Sequence, residues 1–369
     1  MVFFLAEIFS KCFSHVIIIQ GINMKYKAKV PAGRFLWTYL FVLSMILFIS
    51  CLPQDKKAPD VSQPPVTVNA SNSVSTIIQP VEAVIKYNTL IPIDADPGQI
   101  LTWPIEKWRI PDYELFRWDR FPTLLIFDMA DYDVQNRFLK RLAFYVEKAG
   151  FRGRLVHDVE IQNLHGWNAH DYRAYDLARF FDLARKTNFP LLDEELELEK
   201  ILLNEGIIRE NGRDISAGQG GILSVSREAP DYLRYRFMAH EGFHGLYYVD
   251  EDFRNFTRDR WENFPADAKR FMLAFFDFQR YDIKDQFLVE KEFSGHVLQQ
   301  PVAQAGDYFG RLLPSRLERS VNYRNELPQK NTTTNSWPTL ASAFTAEADA
   351  FSDYVKLRWG LAAGRVWSR

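Results

Sequence analysis

The pentapeptide His240-Glu241-Gly242-Phe243-His244 constrains this chain more than any other stretch of it. On an α-helix, residues four apart lie about 40° from one another on one face, one turn up. Two imidazoles so placed converge on a single point, and Zn²⁺, which takes His nitrogen at roughly 2.0–2.1 Å, fits there. The Glu241 carboxylate projects beside them, where it can take a proton from metal-bound water. Five residues thus carry two candidate ligands and a candidate general base. With the chain's own His and Glu frequencies the pattern arises by chance on the order of once in a hundred such sequences, so its surroundings decide its weight.

Those surroundings read as helix. Pro230 suits a helix start, and Leu233 and Phe237 share a face with the motif at three- and four-residue spacing. Upstream, Gly218-Gln219-Gly220-Gly221 leads into residues 222–226, a short strand after a flexible turn. Over residues 219–300 the chain resembles zinc-dependent peptidases of the zincin type. The resemblance implies one Zn²⁺, a peptide or protein substrate (cell-wall peptide included), and an edge strand that pairs with extended substrate. It also implies an electrophilic helper for the oxyanion, for which Tyr281, His296 and Tyr308 are candidates.

A catalytic zinc takes three protein ligands and keeps one position open. Glu292, in the expected helix 284–300, resembles the downstream glutamate that completes the site in the gluzincin branch. That branch often has an Asp four residues later, orienting a zinc histidine; here the position is His296. Asp250, six residues after His244, matches the metzincin offset instead. That pattern needs a glycine for its sharp turn, and the corresponding residue is Tyr247. Turn chemistry favours Glu292 over Asp250. Glu290 and Glu347 are outsiders, the latter reading as a helix-surface acid.

The N-terminus carries an address. Residues 35–50 are an apolar run preceded by Lys25, Lys27, Lys29 and Arg34 and followed by Cys51. A basic region, an apolar region and a small residue before the cut make a secretory signal. The cysteine makes it resemble a bacterial lipoprotein signal, which implies lipid on Cys51 and membrane tethering at the cell envelope, periplasmic or surface face. Met24 stands where such a leader would begin. Beyond Cys51, residues 51–80 are rich in Pro, Ser, Thr, Asn and Val and read as a flexible tether. Without residues 1–50 the chain has 40 basic and 46 acidic residues, a net charge of −6 with no basic run, which argues against a nucleic-acid partner. Cys12 is the only other cysteine, so a chain starting at Cys51 has no internal disulfide.

Composition then sets the scale of the folded part: 47% hydrophobic and 15% aromatic residues are enough for a real core. Residues 123–127 read as a buried strand, and 131–148 as a helix with Val134, Phe138, Leu142, Tyr145 and Val146 on one face. Residues 153–156 read as the next strand, making an α/β element. The polar-aromatic stretch from His165 to Tyr172 reads as a loop feeding a helix from Asp171, with His170 a candidate substrate contact. Residues 191–203 form an amphipathic helix with a solvated acidic face, and a Phe-rich helix opens at Pro265. The expected fold is α+β: an N-terminal α/β part (81–215), then a mainly helical, zincin-like metal-binding part (216–369) with a small mixed sheet whose edge strand runs beside the metal helix. The competing expectation is a non-enzymatic surface lipoprotein that keeps this fold and binds a ligand or partner. The intact His240, Glu241 and His244 argue against it, because a degenerate site has no need of a general base.

Overall fold

The computed structural model describes residues 89–368; the leader, Cys51 and the tether lie outside the described residues. The chain is α+β. In order come β1 (Ile93–Ala95), α1 (Pro97–Leu101), β2 (Tyr113–Trp118), β3 (Leu124–Met129), α2 (Tyr132–Val146), α3 (Asp158–Ile161), β4 (Ala169–Arg173), α4 (Ala174–Thr187) and α5 (Asp193–Asn204). A hairpin of β5 (Ile208–Asn211) and β6 (Asp214–Ala217) precedes β7 (Gly221–Ser226). The rest is helical: α6 (Asp231–Val249), α7 (Glu251–Glu262), α8 (Ala266–Phe278), α9 (Gln286–Leu298), α10 (Val302–Asp307), a π-helical turn (Tyr308–Leu312), α11 (Pro314–Glu318) and α12 (Pro338–Trp359).

Five strands form one mixed sheet in the order β1-β2-β3-β7-β4. β3 and β7 are parallel, and β4 runs antiparallel to β7. Strand alternation divides the interior into two cores. On β3, Leu124 and Ile126 face one side while Leu125, Phe127 and Met129 face the other. The first side is covered by α6 to α9 and α12, the second by α2, α4 and α5. Both faces being covered, β3 and β7 are buried throughout.

Local chemistry sets the element ends. The Asp131 side chain accepts from Val134 N at 2.7 Å and caps α2; Asp285 does the same for α9 through Phe287 N at 3.1 Å. Gly220 has φ +80°, and a Cβ there would stand 1.8 Å from the Thr123 carbonyl, so only glycine makes the entry into β7. The first turn of α6 is tied to the sheet by Arg234, which donates to Asp128 on β3 at 2.7 Å and to the Leu101 carbonyl at 3.1 Å.

Several expectations change here. Residues 153–156 form no strand; Gly153 takes φ +73°, and the Val156 carbonyl accepts from Arg141 rather than from a neighbouring strand. The strand that follows α2 is β4, inside the stretch read as a loop, and α4 begins at Ala174 rather than Asp171. β7, the strand before the motif helix, is internal; the edge beside α6 is β4. The acidic face of α5 is not simply solvated, because Glu195 and Glu199 are buried against Arg141 and Arg185 at 2.8 Å each. Glu347 is likewise buried, paired with Arg260 at 2.6 Å.

Candidate metal centre

α6 is buried on nearly every side from Met238 to Tyr247. Its histidines must therefore meet protein rather than water. They meet α9. The His240 and His244 rings lie 4.3 Å apart, centroid to centroid. Glu292 of α9 brings Oε2 to 3.5 Å from His240 Nε2. One donor atom from each of His240, His244 and Glu292 falls within 4.8 Å of the others, close enough to hold one metal ion.

Two properties mark this as more than a packed pair of histidines. His244 Nε2 and Glu292 Oε2 are fully buried without a hydrogen-bond partner, although buried polar atoms in folded proteins are nearly always paired. A cation bound between them would satisfy both. The second property is the space itself. α9 passes the imidazoles at Gly295, where a Cβ would stand 2.2 Å from His244 Nε2 and 3.0 Å from His240 Cε1. Only a residue without a side chain leaves that volume to the histidines. Gly295→Ala is therefore expected to push His244 or α9 aside, weakening zinc binding at least tenfold and lowering stability by about 1–3 kcal/mol. Metal titration and thermal melting of the variant check this; wild-type zinc affinity would mean the cradle is not the metal's.

Asp171 of β4 holds the inner histidine. Its Oδ1 lies 2.9 Å from His244 Nδ1, so the proton sits on Nδ1 and the Nε2 lone pair is left for a metal. Tyr248 O–H donates to the other oxygen of Asp171. Lys291, next to Glu292 on α9, places Nζ 2.8 and 2.9 Å from the two Asp171 oxygens, 3.0 Å from Glu147 and 3.3 Å from Glu292 Oε1. Glu147 also accepts from Trp167 Nε1 at 2.7 Å.

Burial drives the electrostatics of this cluster. It would raise Asp171, but His244 and Lys291 outweigh it and hold the carboxyl well below the usual range. Glu292 is also held low against burial, by Lys291 and the two histidines. Glu147 is pushed up to about 7 by burial that Lys291 only partly offsets. Burial also pushes the His244 imidazole down. Two ionised carboxylates thus share one ammonium beside the histidine pair, a balance that favours a further cation. Two imidazoles and one carboxylate are the donor set of an open catalytic zinc site.

The remaining expected residues divide cleanly. Glu241 joins the cluster, with Oε2 3.4 Å from His244 Nδ1; burial, and then the neighbouring Asp171, raise its carboxyl well above the ordinary value. His296 stands at the rim, Nε2 3.9 Å from Glu292 and ring centroid 4.8 Å from that of His240. Tyr281 is buried, stacks on Trp167 at 4.8 Å, and is raised by burial and then by the nearby Glu292 charge. Tyr308 packs beneath Arg236 at 5.7 Å. His170 points the other way: neighbouring residues of a strand face opposite sides, and its Nδ1 lies 3.3 Å from Ser224 Oγ. Asp250 is apart from the cluster, capping α7 through Phe253 N at 2.8 Å and pairing with Arg358 at 2.8 Å. Glu290 is taken up by the Tyr247 hydroxyl at 3.0 Å and Gln286 at 2.7 Å.

Asp171, Lys291, Glu147 and Gly295 were not singled out by sequence reasoning. The one signal was that Asp171 sits inside the unusual stretch from His165 to Tyr172. No family model, curated protein or solved structure matches this chain.

Proposed function

We propose that the chain is a zinc-dependent hydrolase, a peptidase of zincin-like build, tethered to a bacterial envelope membrane through lipid on Cys51. The observation that carries the reading is the convergence of His240, His244 and Glu292, with His244 oriented by Asp171 at 2.9 Å. Glu292 matches the gluzincin-like third ligand. The carboxylate which that branch often carries four residues later, absent at His296, has a counterpart in Asp171 on the edge strand.

When bound, zinc supplies Lewis acidity that polarises a scissile carbonyl and acidifies water near pH 7. This chain's residues supply the rest. Glu241, which in this structure lies on the Nδ1 side of His244 facing Asp171, is the candidate base. Turned toward the Nε2 side it would accept the water proton and return it to the leaving amine, a role suited to a carboxyl whose proton affinity is raised by burial. Asp171 keeps His244 in the tautomer that presents Nε2, and Lys291 keeps Asp171 ionised. Tyr281 and His296 are the two candidate helpers that lie beside the ligand set.

Elemental analysis of the purified chain, followed by a peptide-library digest, tests the reading: about one zinc per chain and zinc-dependent cleavage are expected. Full zinc loading without any cleavage would instead favour a binding lipoprotein. For the address, Cys51→Ala is expected to move the protein from the membrane to the soluble fraction or to leave an uncleaved precursor. An unmodified N-terminus at Met1 in membranes would contradict it. Among the described residues no helix is long and apolar enough to cross a membrane.

A further inference from the structure

The metal centre is not equally closed on all sides. The side chains of His244 and Glu292 are 1% exposed each, those of His240 and His296 10% and 11%. The Glu241 side chain is 8% exposed, so the two outer imidazoles are the most open groups of the set, by a small margin.

Arg236 neighbours the outer His240 along α6. It lies one turn before His240 on the same face of α6 and is half-buried. Its guanidinium rests over the Tyr308 ring, 5.7 Å from the centroid, an arrangement that holds it in place without using its donors. Among the described residues it has no carboxylate partner. Other arginines of the described part are engaged: Arg234 with Asp128, Arg260 with Glu347, Arg358 with Asp250. The anionic groups sit deeper, gathered around Lys291. Arg236 thus stands apart from the anionic groups of the cluster.

We propose that Arg236 sets the substrate class: it holds a carboxylate of the substrate beside the outer His240 while a bond farther along the substrate reaches the metal centre itself. The proposal rests on the hydrolase reading of the site. A planar guanidinium with free donors matches a carboxylate in bidentate fashion. A peptide's terminal carboxylate and an acidic side chain present the same group.

Binding separates those sources and also separates this proposal from the question of turnover. The zinc-loaded Glu241→Gln chain is titrated calorimetrically with a short alanine peptide as the free acid, as the C-terminal amide, and as an amide carrying one Asp. A charge-assisted pair should make one or both carboxylate-bearing peptides bind roughly tenfold tighter than the neutral amide. Preference for the free acid alone identifies the terminal carboxylate, and preference for the Asp-bearing amide identifies a side chain. Adding Arg236→Met, which keeps the packing on Tyr308, should collapse the preference to near unity at equal zinc content, and Arg236→Lys should keep part of it. Equal binding of all three peptides, binding of none, or a preference that survives Arg236→Met overturns the proposal. Failure of the peptidase reading shows itself separately, as zinc-loaded wild-type chain that binds these peptides and leaves them uncleaved.

Discussion

Replacing Glu241 with Gln is expected to leave zinc at wild-type stoichiometry while peptide hydrolysis falls by at least ~100-fold, the low end of a general-base contribution. The two side chains are nearly isosteric, and the group of donor atoms that includes both histidines of the motif is completed by Glu292, whereas Glu241 groups with Asp171 and His244. The Glu241 carboxyl lies instead on the Nδ1 side of His244, facing Asp171. Its amide replacement cannot accept a proton, so the chemistry fails while the ligands stand. The same change removes one of two buried carboxyls that face each other, so the variant should melt no lower than the wild type. Elemental analysis, steady-state rates and a melting curve on one preparation check all three expectations. Cleavage at the wild-type rate would place the base elsewhere, and lost zinc would make Glu241 a ligand.

Removing Glu292 should have the opposite signature. Glu292→Ala deletes one of the three proposed ligands and leaves Lys291 with one fewer counter-charge, so stoichiometric zinc binding and activity are both expected to disappear. His244→Ala should behave alike. Asp250→Ala serves as the comparison, because its carboxylate caps α7 and pairs with Arg358 away from the histidines. Loss of a cap costs about 1 kcal/mol, which should lower the melting temperature while zinc content stays at wild type. If Asp250→Ala loses zinc and Glu292→Ala keeps it, the metzincin-like alternative is the correct one.

Much of the centre was legible because its signals are local. The i, i+4 histidines, the glutamate between them and the helix that carries them all lie in one stretch governed by helical periodicity. Glu292 was legible on a second helix of similar clarity. β4 was not, because Ala169-His170-Asp171-Tyr172-Arg173 is short and polar and, after Gly166 and Asn168, continues what reads as loop. Its extended form comes from pairing with β7, some 50 residues later in the chain. Lys291 was illegible for a related reason: between Glu290 and Glu292 it looks like an exposed helical ion pair, yet its partners Glu147 and Asp171 come from other elements.

By itself the sequence determined which side chains could do chemistry and which of them share a helix face, since backbone geometry makes spacing along one helix a statement about space. It also determined most helix positions, through caps, prolines and apolar periodicity. Tertiary structure decided everything that depends on two segments meeting. It chose Glu292 rather than Asp250 to face the histidines, put Asp171 behind His244, and left at Gly295 the space beside His244 Nε2. Those choices follow from how α6, α9 and the edge of the sheet bury one another, and burial is a property of the assembled chain that no single stretch of residues carries.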